Sequence, residues 1–113
     1  MAKLELTLRG DFDTVVRAVT DGIVKGSMSA ELEDASDFRS ENALCAVRVI
    51  ERYSFAGGNR VSLSLTFFGV IGDDRICVSA ITSGGSQAVF FKMNTWGEES
   101  FLDQTEKILR KYQ

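Results

Sequence analysis

The strongest constraint on the fold comes from two segments in which apolar and polar residues alternate, VSLSLTFFGV (residues 61–70) and RICVSAI (residues 75–81). A period of two places alternate side chains on opposite faces of a strand, so both segments predict half-buried β-strands. The connection between them, around Gly72, Asp73 and Asp74, is short and rich in residues that tolerate positive φ. This pattern predicts an antiparallel hairpin.

Similar patterns predict four more strands, at residues 3–9, 28–33, 44–54 and 88–93, with the polar stretch EDASDFRSEN as a loop after the second of them. Short connections around Gly57, Gly58 and Asn59, and at Ser83–Ser86 (SGGS), are predicted to be turns. A phosphate loop needs its glycines to open a helix, whereas the residues after SGGS have the pattern of a strand.

Two helices are predicted. Apolar residues recur at helical spacing after Asp11, which is a suitable N-cap, and this helix is expected to end near Gly26. Thr95 and Glu98 match a capping box and predict the start of a second helix. Its buried stripe is expected to comprise Phe101, Leu102, Thr105, Ile108, Leu109 and Tyr112.

The predicted order is therefore β-α-β-β-β-β-β-α, which indicates one α+β domain over residues 1–113. We expect a mostly antiparallel sheet with two helices packed on one face, an element order that is similar to a helix-grip arrangement. The position of the first strand within the sheet is left open, because its long connection allows an edge or a central place.

Composition argues against several classes of function. The chain has no His, which removes the commonest metal ligand and general base, and its net charge is −3. Without a cationic stripe, a nucleic-acid partner is not expected, and no apolar run is long enough to cross a membrane. Cys45 and Cys77 are too few for a disulfide framework or a zinc site, so we expect reduced cysteines and a cytoplasmic protein.

No cofactor or metal site is indicated. One acidic segment offers oxygen ligands for a hard cation, but it lacks the spacing of a calcium loop, and a solvated loop is the favoured interpretation. Its carboxylates are Glu31, Glu33, Asp34, Asp37 and Glu41.

A partner-binding surface is the most informative expectation. If Val47, Val49, Val61, Leu63, Leu65, Phe67, Ile76, Val78, Val89 and Phe91 face the helices, the opposite face of the sheet mixes large apolar side chains with arginines and hydroxyls, as an interface does. The binding residues predicted on that face are Arg48, Ile50, Ser64, Thr66, Phe68, Ile81 and Phe90. The same assignment puts Cys45 and Cys77 on opposite faces.

Three classes of function follow. The leading one is a small non-enzymatic domain that self-associates, as a dimer, or binds a partner through the mixed face. The second is a module that binds a small apolar ligand in a cavity between the sheet and the second helix, lined by Phe67, Phe91 and Trp96. The third, least favoured, is a His-independent hydrolase using Ser83, Ser86, Lys92 or a carboxylate pair.

Three stretches carry a resemblance that covers nearly the whole chain: GDFD at residues 10–13, ERYSFAGGNRVSLSLTFFG at residues 51–69, and AITSGGSQAVFFKMNTWGEESFL at residues 80–102. Together they resemble an uncharacterised family of small bacterial proteins of unknown function. The resemblance implies a compact stand-alone domain and assigns no catalytic residue.

Overall fold

The computed structural model describes residues 1–53, 60–84 and 91–113. For residues 91–98 it describes the backbone only. The elements are strand β1 (Ala2–Arg9), helix α1 (Phe12–Lys25), strands β2 (Glu31–Arg39), β3 (Ala43–Tyr53), β4 (Arg60–Val70) and β5 (Arg75–Gly84), and helix α2 (Phe91–Leu109), which continues into a 3-10 turn (Arg110–Tyr112).

The strands form one antiparallel five-stranded sheet in the order β1-β5-β4-β3-β2. The α+β class predicted from the sequence is therefore confirmed. The first strand lies at an edge and pairs with β5, so that β4 becomes the central strand. The predicted turn at residues 71–74 joins β4 to β5, and Gly72 has the positive φ of 90° that the turn requires.

Helix α1 begins as its sequence predicts. The carboxylate of Asp11 accepts hydrogen bonds from the backbone N–H of Thr14, at 3.1 Å, and from its hydroxyl, at 2.7 Å. These two hydrogen bonds, of which the one from the hydroxyl has the larger effect, hold the pKa of Asp11 below its usual range. At the other end, the Gly26 N–H reaches the carbonyls of Gly22 and Ile23 and closes the helix.

The core lies between the two helices and one face of the sheet, which we call the helix face. Helix α2 packs on β5, β1 and β4, and α1 packs on α2 and β3. The fully buried members of the core include Phe67 on β4, Ile76 on β5 and Phe101 on α2. The predicted stripe of the C-terminal helix is confirmed, since Phe101, Thr105 and Leu109 are fully buried, while Leu102, Ile108 and Tyr112 are partly buried against the core.

One close contact fixes α1 over the sheet. Gly69 on β4 lies beneath the ring of Phe12, and a Cβ at this position would come within 2.8 Å of Phe12 Cδ2. A glycine is therefore needed here for its lack of a side chain, because any larger residue would displace the aromatic ring from the sheet.

Two element predictions need correction. The stretch from Glu33 to Asn42 was expected to be a loop, but β2 extends through it to Arg39, and all nine of its residues are exposed. An edge strand contacts only one neighbour and here has no helix over it, so it does not need the apolar alternation from which strands are predicted. A bulge between Leu32 and Asp34 interrupts the alternation further.

The second correction concerns the start of α2. A strand was predicted at residues 88–93 and a capping box at Thr95, but the helix already begins at Phe91. The backbone of residues 91–93 is therefore helical, and Thr95 lies inside the helix. Residues 88–90, the turn at residues 57–59, and Gly85 and Ser86 of the SGGS stretch lie outside the described residues, while Ser83 and Gly84 belong to β5.

Candidate functional site: the outer face of the sheet

The side of the sheet opposite the helices, which we call the outer face, has none of the described elements over it. Directly paired residues on neighbouring strands share a face, so the register defines this surface from β1 to β2. At its centre Thr66 and Phe68 on β4 are exposed, and so are Cys77 and Ile81 on β5. A face of this size without cover is unusual for a five-stranded sheet with large apolar residues on it.

One row of paired residues crosses all five strands of this face. We call it the Phe68 row, and its members in strand order are Thr7, Cys77, Phe68, Cys45 and Phe38. The Phe68 side chain is 46% exposed and that of Phe38 is 67% exposed, although both are large and apolar. The row therefore gives the outer face an apolar belt from β5 to the β2 edge, and the hydroxyl residue Thr7 ends it on β1.

A shallow hollow of about 550 Å³ lies beside Phe68, above β5 and β1. Its lining comprises Glu5, Leu6, Thr7, Thr66, Phe68, Cys77, Val78 and Ser79. The outer face thus combines a protruding aromatic ring with a depression next to it, which is the relief that two packed surfaces need in order to interlock.

Charges lie around this belt. On β1, Lys3 and Glu5 are paired with Ile81 and Ser79 of β5. At the end of the sheet where β4 begins, Arg60 Nη2 binds the carboxylates of Glu51 on β3, at 2.6 Å, and Glu33 on β2, at 3.6 Å. The central part of the face is occupied by hydroxyl and apolar side chains, whereas ion pairs stand at its margins, as in the core and rim of a protein interface.

The structure divides the predicted binding residues. Ser64, Thr66, Phe68 and Ile81 lie on the outer face, as predicted, and Phe90 lies outside the described residues. Arg48 and Ile50 do not belong to the outer face. They pair with Leu65 and Leu63, which are fully buried on the helix face, and Ile50 itself is fully buried.

The cause is the alternation of β3, which was assigned with the wrong parity. Val47 and Val49 were expected to face the helices, but they pair with Thr66 and Ser64 and therefore face outwards. Both parities of β3 carry apolar side chains, so the pattern alone did not distinguish them. Polarity suggested that the arginines face outwards, whereas arginine can cover apolar surface with its stem and carry its charge to the margin of a core.

Arg48 and Arg52 show how this works. Arg48 donates to the Asp37 carboxylate at 2.9 Å and to the carbonyl of Val47 at 2.9 Å. Arg52 lies over the ring of Phe101, 4.4 Å from its centroid, and donates to Gln104 Oε1 at 2.7 Å and to Ser100 Oγ at 3.1 Å.

Burial lowers the pKa of Arg52, and its Nε is buried without a hydrogen-bond partner in the described part of the chain. Both arginines are thus parts of the helix side of the sheet rather than of the outer face.

The same correction changes the position of the cysteines. Cys45 and Cys77 were predicted on opposite faces, but both are paired with Phe68 and lie on either side of it on the outer face. Each is a free cysteine, Cys45 half-buried and Cys77 exposed. Two strand spacings separate them, about 10 Å, which is too far for a disulfide within one chain. Sequence analysis placed Cys77 on the mixed face but missed Phe38 and Cys45, because only the register brings them into one row with Phe68.

A second concave surface lies on the helix side, between α1 and the uncovered strand β2. This α1–β2 groove has a volume of about 640 Å³. Three arginines line it, of which Arg48 is paired with Asp37 and Arg39 with Asp13, at 3.1 Å. Arg17 lines the groove without an ion pair to any described residue, although its charge contributes to lowering the pKa of Asp11. The predicted cavity under α2 is not open at Phe67, which is fully buried, and the side chains of Phe91 and Trp96 lie outside the described residues.

The turn after β4 holds an ion pair between Asp73 and Arg75, the first residue of β5. Arg75 donates from Nη2 to Asp73 Oδ2 at 2.7 Å and also binds it through Nε. This side-chain hydrogen bonding, followed by that of the Arg75 amide, lowers the pKa of Asp73 to about 2, and the pKa of Arg75 is raised by the same partner. Arg9 binds the neighbouring Asp74 at 3.0 Å, so the two strand ends are tied to the turn.

The residues considered for metal binding and for hydrolysis take the following places in the described ranges. Within them, no group of three or more His, Cys, Asp or Glu side chains is arranged to hold a metal ion. Ser83, named as a candidate nucleophile, is a half-buried residue of β5, whereas Ser86 and the Lys92 side chain lie outside the described residues. In the same part of the chain, no helix has the length and apolar character needed to cross a membrane.

Comparison with known proteins gives a family but no relative of known activity. No curated protein matches the chain, and no solved structure matches it. The family model described as "Family of unknown function (DUF6054)" matches residues 1–113 and confirms the resemblance to an uncharacterised family. The chain belongs to this family, whose function is unknown.

Proposed function

We propose that this protein is a non-enzymatic domain that forms a homodimer through the outer face of its sheet. The single observation that carries the proposal is the Phe68 row, which is apolar from β5 to β2 and has no described element over it. Burial of such a belt against a second copy removes it from water, which is the main driving force of association.

The size of the face fits a second copy. Five strands about 4.8 Å apart, over four or five paired rows, give a footprint of roughly 600 Å² per protomer. Two such surfaces bury roughly 1,200 Å², which reaches the lower end of specific interfaces. Face-to-face packing of two sheets is also a standard way to cover an apolar sheet surface, with strand directions within about 30° of each other.

The charge distribution favours a copy of the same chain over a strongly charged partner. The centre of the outer face carries Ser64, Thr66, Phe68 and Ser79, none of which is ionised, and Arg60 is already paired with Glu51. A surface that is apolar and hydroxyl-rich in the middle is complementary to itself. The two free cysteines agree with a reducing compartment, and a cytoplasmic location therefore forms part of the proposal.

Sedimentation equilibrium tests the proposal. The native chain is expected at twice its chain mass of 12.4 kDa, and Thr66→Arg is expected to dissociate it, because two arginines would meet at the centre of the interface. Met28→Arg is the matched control, since Met28 is fully exposed in the connection before β2 and away from the outer face. A native chain that remains at the mass of one protomer at high concentration would refute self-association.

A second candidate is a ligand-binding role for the α1–β2 groove. The observation in its favour is Arg17, which lines this groove without an ion-pair partner among the described residues and can therefore accept an acidic group. Native mass spectrometry of the freshly purified protein is expected to show a bound small molecule that is lost in Arg17→Ala. A native mass equal to that of the bare chain would count against this candidate and leave the dimer untouched.

A further inference from the structure

Resting on the proposed self-association, we infer that the twofold axis of the dimer lies between the two sheets, parallel to β4 and directly over it. Phe68 of one copy then packs against Phe68 of the other, and Cys45 of each copy faces Cys77 of the other. The inference concerns which residues meet, and it follows from the register of the sheet, from the placement of charge and from the relief of the outer face.

The direction of the axis follows from the acidic side of the sheet. Strand β2 carries Glu31, Glu33 and Asp34 towards the outer face, at one edge of the sheet. A twofold axis at right angles to the strands would lay β2 against β2 of the other copy and bring these carboxylates together, which is unfavourable. An axis along the central strand instead lays β2 over β1. The cation Lys3 of β1 then lies over Asp34, while Glu5 lies over the uncharged Ser36.

The position of the axis across the sheet follows from the apolar belt. Phe68 is an exposed aromatic residue of the central strand, and the best-buried aromatic side chains of an interface lie near its centre. With the axis at Phe68, the two ends of the Phe68 row exchange places. Phe38 at the β2 edge of one copy then lies over Thr7 of the other, at the side of the hollow next to Phe68.

The same rotation brings the thiols together. Cys45 and Cys77 lie one strand on either side of Phe68, so each faces the other type of cysteine across the axis. Sheets pack about 10 Å apart, and two side chains that point into this space bring their sulfur atoms to about 5 Å. Identical cysteines, by contrast, are displaced sideways by two strand spacings, about 10 Å more.

Thiol cross-linking tests this arrangement. The reduced dimer is treated with dibromobimane, a short reagent that joins two nearby thiols, and is then run on a denaturing gel. The native chain is expected to give a covalent dimer. Neither Cys45→Ser nor Cys77→Ser alone is expected to give one, but an equilibrated mixture of the two variants is expected to give a covalent heterodimer, because each copy then supplies one thiol of a facing pair.

The outcomes separate the arrangement from self-association itself. A covalent dimer from Cys45→Ser or Cys77→Ser alone would overturn the inferred axis, and so would the absence of any covalent dimer in a sample that sediments as a dimer. A sample that sediments as a monomer would overturn the proposed function, and the inferred axis with it. The Cys45→Ser/Cys77→Ser double variant, which must remain uncross-linked, shows that the reaction needs these thiols.

Discussion

The substitution Phe68→Ala gives the most direct measure of the proposed interface. Phe68 is 46% exposed in the single chain and pairs with Cys45 and Cys77 on its two sides. Its removal takes away the centre of the apolar belt while it leaves the buried helix face unchanged. We therefore expect a large loss of dimer affinity and a small change in the stability of the monomer.

The magnitude follows from the exposed area. An aromatic side chain of this size has about 200 Å² of surface, so the exposed part of Phe68 amounts to about 90 Å². At about 25 cal/mol per Å², its burial contributes about 2 kcal/mol for each copy and about 4–5 kcal/mol for the symmetric pair. The dimer dissociation constant is accordingly expected to rise by about a thousandfold.

Sedimentation equilibrium over a wide concentration range measures this constant. Ile71→Ala is the matched control, because Ile71 is 52% exposed but lies in the β4–β5 turn, beside Gly10 and Gly69, rather than on the outer face. Thermal unfolding at a concentration where both proteins are monomeric checks the fold. The reasoning would be refuted if Phe68→Ala and Ile71→Ala changed the dissociation constant equally, or if neither changed it.

Three further predictions concern helix α1, its contact with the sheet, and the edge charges. Asp11→Ala is expected to lower the thermal midpoint at pH 7 because the Thr14 amide loses its acceptor, whereas Asp11→Asn retains a capping oxygen. Because the pKa of Asp11 is lowered in the folded state, the stabilisation by its carboxylate is complete above the usual value of 3.8 and declines as the pH falls through the folded pKa. The difference in thermal midpoint between the native chain and Asp11→Ala should therefore narrow in acid. A difference that does not change with pH would contradict this. Gly69→Ala is expected to lower the free energy of unfolding, measured with urea, by about 1–3 kcal/mol, because its Cβ would clash with Phe12. The Gly69→Ala/Phe12→Leu double variant should regain part of that loss. Losses in the two single variants that simply add in the double variant would exclude the clash. Lys3→Asp and Asp34→Lys are each expected to weaken the homodimer by roughly tenfold, and a mixture of the two should form heterodimers by native mass spectrometry; a purely statistical mixture of species would argue against their proximity.

Much of the fold could be predicted locally. The cap at Asp11, the end of α1 at Gly26 and the alternation of β4 and β5 depend on short-range chemistry that a few neighbouring residues specify. The prediction failed where local signals were weak or ambiguous. Strand β2 is exposed along its whole length, so it carries no hydrophobic alternation by which a strand is recognised.

The candidate site shows the same limit more sharply. Ser64, Thr66, Phe68 and Ile81 were placed on the outer face because their strands alternate cleanly. Arg48 and Ile50 were assigned to the wrong face, because β3 has apolar residues at both its odd and its even positions. Its orientation depends on which residues of β4 it pairs with. Phe38 and Cys45 could not be joined to Phe68 by any spacing along the chain.

The sequence by itself therefore determined the α+β class, the helix face of β4 and β5, and the caps of α1, since each of these follows from interactions within a few residues. Only the tertiary structure decided the strand order, the orientation of β3 and the row that brings Cys77, Phe68, Cys45 and Phe38 side by side. The physical reason is that a sheet pairs residues from distant parts of the chain, and a shift of one residue in that pairing moves every side chain of a strand to the other face.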